Sequence, residues 1–224
     1  ADGPNPPNSV SFTSTSDTSA TGGSGTAADG ITYNSTPTAK WTEATDPSGS
    51  AIEIYQWVVT GAYGDVYTTS HRKYSGYSED TEAELNSMSD GAYKLWVQAK
   101  DEYGNWGNFS SGWSFEIDTV APVTPTGLTN PSSTETPTQP ALTWSGGDTG
   151  SGIDFYKISL SGPNQIVVAY STDEQLDANE YAGDELADGN WTWNVRGYDL
   201  AGNEGEWSSD KSLTIQSITD ADGP

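Results

Sequence analysis

Residues 90–115 read DGAYKLWVQAKDEYGNWGNFSSGWSF, and residues 188–213 read DGNWTWNVRGYDLAGNEGEWSSDKSL. At one constant offset Asp90 meets Asp188, Gly91 meets Gly189, Val97 meets Val195, Asp101 meets Asp199, Gly104 meets Gly202, Asn105 meets Asn203 and Phe109 meets Trp207. The same supersecondary unit therefore has to form twice, which constrains the fold more than any other feature of the chain. Alternation shows what that unit is. Tyr93, Leu95, Val97 and Ala99 interleave with Lys94, Trp96, Gln98 and Lys100, and Trp191, Trp193, Val195 and Gly197 keep the same phase in the second copy. A period of two marks a strand with one buried face. The Asp-x-x-Gly-Asn that follows reverses the chain, because Gly and Asn tolerate positive φ and the Asp carboxylate accepts nearby backbone N–H groups. Each copy is expected to be a hairpin.

The matching continues outside the hairpins. Pro37-Thr38-Ala39-Lys40-Trp41 is answered by Pro140-Ala141-Leu142-Thr143-Trp144, the acidic turn at residues 46–49 by residues 148–152, and Ile52-Glu53-Ile54-Tyr55 by Ile153-Asp154-Phe155-Tyr156. Further strand candidates lie at residues 9–13 and 127–129. Residues 14–30, rich in Ser, Thr, Gly and Ala, read as an inserted loop, and the middles at 61–84 and 162–185 diverge. The pattern gives about seven short strands in each half and no helix, which predicts an all-β fold of antiparallel sandwiches. Trp41, Trp144, Tyr55 and Tyr156 fall at matched inward positions, and Leu85 and Leu186 are expected to cap the cores.

Two domains are expected, residues 1–118 and 119–220, with residues 221–224 as the start of a further repeat. The ADGP of residues 1–4 returns at 221–224. Asp118-Thr119-Val120-Ala121-Pro122-Val123-Thr124-Pro125 also spaces its acid and prolines as Asp220-Ala221-Asp222-Gly223-Pro224 does when read on into Asn5-Pro6-Pro7. Prolines there fix φ and stiffen the linker.

Eight basic residues against thirty-two acidic ones give a net charge of −24, with sixteen acids in each half. Nucleic acid and anionic membrane surfaces would be repelled. Divalent cations are the natural counterpart, although solubility or a saline habitat selects the same surface. No cysteine is present, no apolar run approaches the ~20 residues of a membrane span, and no signal segment opens the chain. These features suggest a mature piece of a larger extracellular or cell-surface protein with no membrane insertion. One histidine, no nucleophile elbow and no phosphate-cradling loop argue against an enzyme.

A proline-marked start, a Trp on the second strand, a Tyr on the third, then L-x-x-G-x-x-x-x-x-V-x-A/G-x-D-x-x-G-N and a final strand resemble the bacterial immunoglobulin-like and fibronectin type III-like repeats of adhesin-type surface proteins. The resemblance covers nearly the whole chain twice, apart from residues 14–30 and the divergent middles. It implies two tandem immunoglobulin-like sandwiches serving as a stalk or filament unit. The alternative it leaves open is a glycan- or protein-binding accessory module of a secreted protein or enzyme.

In a sandwich of this topology the incoming chain, the loop after the second strand and the last hairpin share one pole. Asp118, Asp148 and Asp199, with Asn203, are thereby expected to converge as oxygen ligands for calcium, and Asp2, Asp46 and Asp101, with Asn105, form the corresponding set. The alternative is that each Asp makes its own turn bond without an ion. Tyr63, Tyr67, Arg72, Tyr74 and Tyr77, beside His71 and Lys73, form a candidate face for a glycan or surface receptor, since tyrosines stack on sugar rings and Arg clamps carboxylates. An edge strand packed by tyrosines explains the same residues. Neighbouring repeats are the remaining partners, through edge pairing or a segment donated from residues 14–30 into a filament.

Overall fold

The computed structural model describes residues 3–13, 30–62, 67, 69–130, 140–163, 166–171, 180–182 and 185–216, with 166–171 and 180–182 as strand backbone. The inserted loop and the proposed start of a further repeat lie outside the described residues. Two compact units divide between Thr119 and Val120.

The first unit contains β1 (Val10–Phe12), β2 (Ile31–Thr32), β3 (Thr38–Trp41), β4 (Ile52–Gly61), β5 (Arg72–Ser78), β6 (Glu82–Glu84), β7 (Gly91–Asp101) and β8 (Trp113–Ile117). One sheet runs β1-β3-β6, and the other runs β2-β8-β7-β4-β5. Among the described residues eight strands appear where about seven were expected, because Ile31 and Thr32 add a parallel edge to β8. A 3₁₀ turn, Thr69–His71, precedes β5. The second unit contains β9 (Val123–Thr129), β10 (Ala141–Gly147), β11 (Ile153–Ser161), β12 (Ile166–Ser171), β13 (Glu180–Ala182), β14 (Gly189–Asp199) and β15 (Lys211–Ile215). Its sheets run β13-β10-β9 and β12-β11-β14-β15. Strand β9 starts earlier than the sequence suggests, and Pro125 is tolerated because this strand is a sheet edge.

Each core lies between its two sheets. Trp41 and Tyr55 pack 5.6 Å apart in the first, and Trp144 and Tyr156 pack 5.3 Å apart in the second. Tyr93, Leu95, Val97 and Phe115 complete one interior, and Ile158, Leu160, Trp191, Trp193 and Val195 the other. Leu85 and Leu186 are both buried, but the constant offset pairs Leu186 with Met88, which is buried as well. The first unit carries a smaller apolar layer on its opposite sheet face. Trp96 and Val58 are buried there, and the Trp96 indole N–H donates to Thr60 Oγ1 at 3.1 Å. Tyr67 covers this layer, 4.3 Å from Phe109 and 6.2 Å from Trp96 between ring centroids.

The ladder from β7 to β8 ends at Leu95 opposite Trp113, and that from β14 to β15 ends at Trp193 opposite Lys211. A serine then extends each ladder. Val97 N–H donates to Ser110 Oγ and Val195 N–H to Ser208 Oγ, both at 3.1 Å. Return bonds run from Ser110 N–H to the Val97 carbonyl at 2.7 Å and from Ser208 N–H to the Val195 carbonyl at 2.9 Å. Both serines are buried, so the donors they satisfy have no water to turn to. Replacing Ser208 with Ala is expected to destabilise the second unit by about 1–3 kcal/mol, the usual cost of a buried unsatisfied donor. Denaturant unfolding of Ser208→Ala and Ser208→Thr checks this: the threonine keeps the hydroxyl and should recover most of the loss.

Candidate metal centre

Both repeated hairpins turn on a buried aspartate. Asp199 Oδ1 accepts the Asn203 backbone N–H at 2.7 Å while Oδ2 accepts Asn203 Nδ2 at 2.8 Å, and Gly202 N–H donates to the Asp199 carbonyl at 3.1 Å. Asp101 repeats the clamp. Its Oδ1 takes the N–H groups of Tyr103 and Asn105 at 3.0 and 2.8 Å, and its Oδ2 takes Asn105 Nδ2 at 2.8 Å. Glycine is required inside both turns, where φ reaches 90° at Gly104 and 94° at Gly202. The Asn105 side chain, with the N–H groups of Asn105, Tyr103 and Gly104, holds the Asp101 carboxyl below its ordinary range against the opposing effect of burial.

The turn after β10 is built around Asp148, whose Oδ2 accepts N–H from Gly150 at 2.8 Å and Gly152 at 2.9 Å. This turn is tied to the last hairpin. Leu200 N–H donates to the Gly152 carbonyl at 2.9 Å, and Ala201 N–H donates to Ser151 Oγ at 3.2 Å. Asp148 Oδ1 remains buried without a hydrogen-bond partner. The linker residue Asp118 is also buried, its own N–H donating to the Thr32 carbonyl at 3.0 Å. Two residues on, at the start of the second unit, the Val120 carbonyl accepts Asn203 Nδ2 at 3.4 Å. Within the second unit, one oxygen of Asp148 and one of Asp199 lie within 4.8 Å of each other. At that distance, with an effective dielectric of ~20, an ionised pair repels by roughly 3 kcal/mol. Paired carboxylates in this arrangement suit a hard cation that takes oxygen ligands.

Of the corresponding first-unit set, Asp46 and Asp101 are among the described residues. Asp46 repeats the acidic turn, with Oδ1 accepting the Ser48 N–H at 2.7 Å and Oδ2 buried without a partner. Asp2 lies outside the described residues. A Cβ on Gly107 would strike the Pro4 carbonyl oxygen, and a Cβ on Gly205 would meet the Pro122 carbonyl oxygen at 3.0 Å. Pro4 thus corresponds to Pro122.

Among the described residues, the candidate ligand residues are divided between the two faces of their sheet. Tyr63 lies outside the described residues, and Tyr67 covers Phe109 and Trp96. On β5 the pleat sends Tyr74 against the core, 6.4 Å from the Tyr93 ring, while Arg72 is exposed and Tyr77 is 61% exposed. Sequence reasoning passes over Trp106, which is 40% exposed and lies 6.3 Å from Tyr77. Its signal was available, since the constant offset matches this Trp with Glu204.

No family model and no curated protein matches the sequence. The fold is nonetheless widespread, with 347 solved chains matching it. Among them are the FN1–FN3 domains of chicken CNTN1, which match with a TM-score of 0.51 at 14% identity, covering 97% of this chain and 69% of that one. The architecture is therefore a tandem of fibronectin type III-like, immunoglobulin-like β-sandwiches, and a likeness at this identity speaks to fold alone.

Because the folded state depresses the Asp101 pKa, its contribution is fully present above the ordinary value of 3.8 and is lost as pH falls through the lower folded value. Urea unfolding across this acid range should show the first unit weakening below about pH 4. Asp101→Asn should be weaker at neutral pH and show a flatter acid limb, and an unchanged acid limb would refute the assignment.

Proposed function

We propose that the chain is a structural spacing unit of an extracellular surface protein, used in a stalk or filament, with calcium pinning the linker through Asp118, Asp148 and Asp199. The observation that carries this reading is the approach of Asp148 to Asp199 at the second unit's pole, where Asp148 keeps a buried oxygen that has no hydrogen-bond partner; Asp118, at the end of the linker, is the third carboxylate the sequence offers. Calcium accepts 6–8 oxygens in irregular geometry, so backbone carbonyls and water can complete such a set, whereas magnesium demands a near-ideal octahedron. The tandem of like sandwiches and the net charge of −24 suit a module whose main contacts are its neighbours and whose surface stays soluble.

The same logic extends to a tandem array. Asp220 stands to Pro224 as Asp118 stands to Pro122. In a following repeat it would supply the third carboxylate beside the counterparts of Asp46 and Asp101.

With an extracellular-type Kd of about 0.1 mM and about 10 mM calcium, linkage stabilises the folded state by roughly 2.7 kcal/mol. That corresponds to a rise in the unfolding midpoint of about 10 °C for a unit of this size. Calorimetry with calcium, with magnesium and with chelator tests the proposal. Calcium alone should raise the midpoint, and Asp118→Asn or Asp148→Asn should abolish that rise while raising the chelated midpoint, since the neutral amide relieves carboxylate repulsion. Equal midpoints in calcium and chelator would overturn the calcium reading.

A further inference from the structure

The outward face of the first unit's larger sheet carries a second constellation, separate from the acidic pole. Tyr77 on β5 pairs with Gln56 on β4, and Gln56 pairs with Gln98 on β7, so the three side chains form one rung. Their polar atoms are linked: Gln98 Nε2 donates to Gln56 Oε1 at 2.6 Å, and Gln56 Nε2 donates to the Tyr77 hydroxyl at 3.3 Å. Trp106, held by a backbone bridge to Lys100, sets its ring 6.3 Å from Tyr77 with the planes tilted by 44°. Lys100 Nζ lies 5.6 Å from the Trp106 ring centroid and pairs with Glu53 at 2.7 Å.

The fold does not call for these aromatics. The second unit makes the same bridge between Tyr198 and Glu204, a glutamate standing where the first unit has Trp106. Arg196 stands there in place of Gln98, ion-paired with Glu204 and stacked 4.6 Å from Trp207. One unit therefore closes this face with internal charge pairing. The other leaves Tyr77 61% and Trp106 40% exposed above half-buried amides.

We propose that Tyr77, Trp106, Gln56 and Gln98 form a binding platform for a neutral glycan. The weakly positive C–H face of a pyranose ring complements the negative face of an aromatic ring. Sugar hydroxyls both donate and accept, and so do the amides and the tyrosine hydroxyl of the rung. Charge selects the class: the Lys100–Glu53 pair leaves the patch locally neutral, while the net charge of −24 repels acidic polysaccharides. A proline-rich peptide could stack on the same rings but offers only carbonyl acceptors to the amide rung. The proposal goes beyond the spacing role and does not depend on calcium.

The test is titration of the 224-residue chain with cellohexaose, maltohexaose, polygalacturonate and a decaproline peptide. Calorimetry would be read beside the indole N–H signal of Trp106 in NMR spectra, with calcium and with chelator. The expected result is saturable binding of a neutral hexasaccharide in either condition, with the Trp106 signal shifted. Trp106→Glu, which installs the residue the second unit carries at this place, should weaken binding about tenfold or more at an unchanged unfolding midpoint. Tyr77→Ala should do the same. No binding of either hexasaccharide at about 10 mM, undiminished binding by Trp106→Glu, or preference for polygalacturonate or decaproline would each overturn the proposal.

Discussion

Much of the structure depends on one carboxylate in each unit. Asp101 and Asp199 each hold an asparagine by backbone and side chain together, and this double grip closes the turn after the longest strand. With the turn closed, the returning chain comes into register, so that Gly107 N–H reaches the Ala99 carbonyl and Ser110 reaches Val97, and likewise Gly205 reaches Gly197 and Ser208 reaches Val195. The long strand is central in each larger sheet, flanked by β4 and β8 in one unit and by β11 and β15 in the other. An error at the Asp turn would displace every side chain beyond it to the wrong face. The same turn orders the pole. In the second unit Asp199 is both the clamp and a member of the acidic group, so one residue serves register and electrostatics together.

Around this common frame the units differ where the frame imposes nothing. Inward positions carry bulky aromatics and aliphatics in both, because packing at interior density leaves little choice. Outward positions on the same strands have become a tyrosine–amide–tryptophan surface in one unit and an arginine-centred stack in the other. The larger sheet also differs in edge, since β2 adds a short parallel strand to the first unit that the second lacks among its described residues.

The architecture was legible in the sequence because period-two alternation, Asp-Gly-Asn turn chemistry and an internal repeat each point to the same hairpins. The pole was legible for a related reason: sandwich topology brings loops together whatever their composition, so Asp148 and Asp199 could be placed without coordinates. The equivalence of Pro4 and Pro122 was not legible, because only the close approach of Gly107 to Pro4 and of Gly205 to Pro122 sets that register. The sides on which the tyrosines lie were hidden for a different reason. Proximity along the chain says nothing about side on a pleated strand, and Tyr74 and Tyr77 have opposite parity. Trp106 was legible only as a contrast between copies, a large ring where the matched residue is a glutamate.

The glycines under Pro4 and Pro122 also bear on how such a chain is made. In each unit the first segment is seated against backbone that is synthesised near the end of that unit. A nascent unit emerging from the ribosome therefore has its opening strand in place long before the glycine it rests on exists, and it cannot lock until the final hairpin is out. Closure of so long a loop makes the last contact slow and the half-made unit exposed at its edges. Once locked, the unit is complete before most of its successor has been translated, so like sequences in tandem are separated in time and have less opportunity to exchange strands.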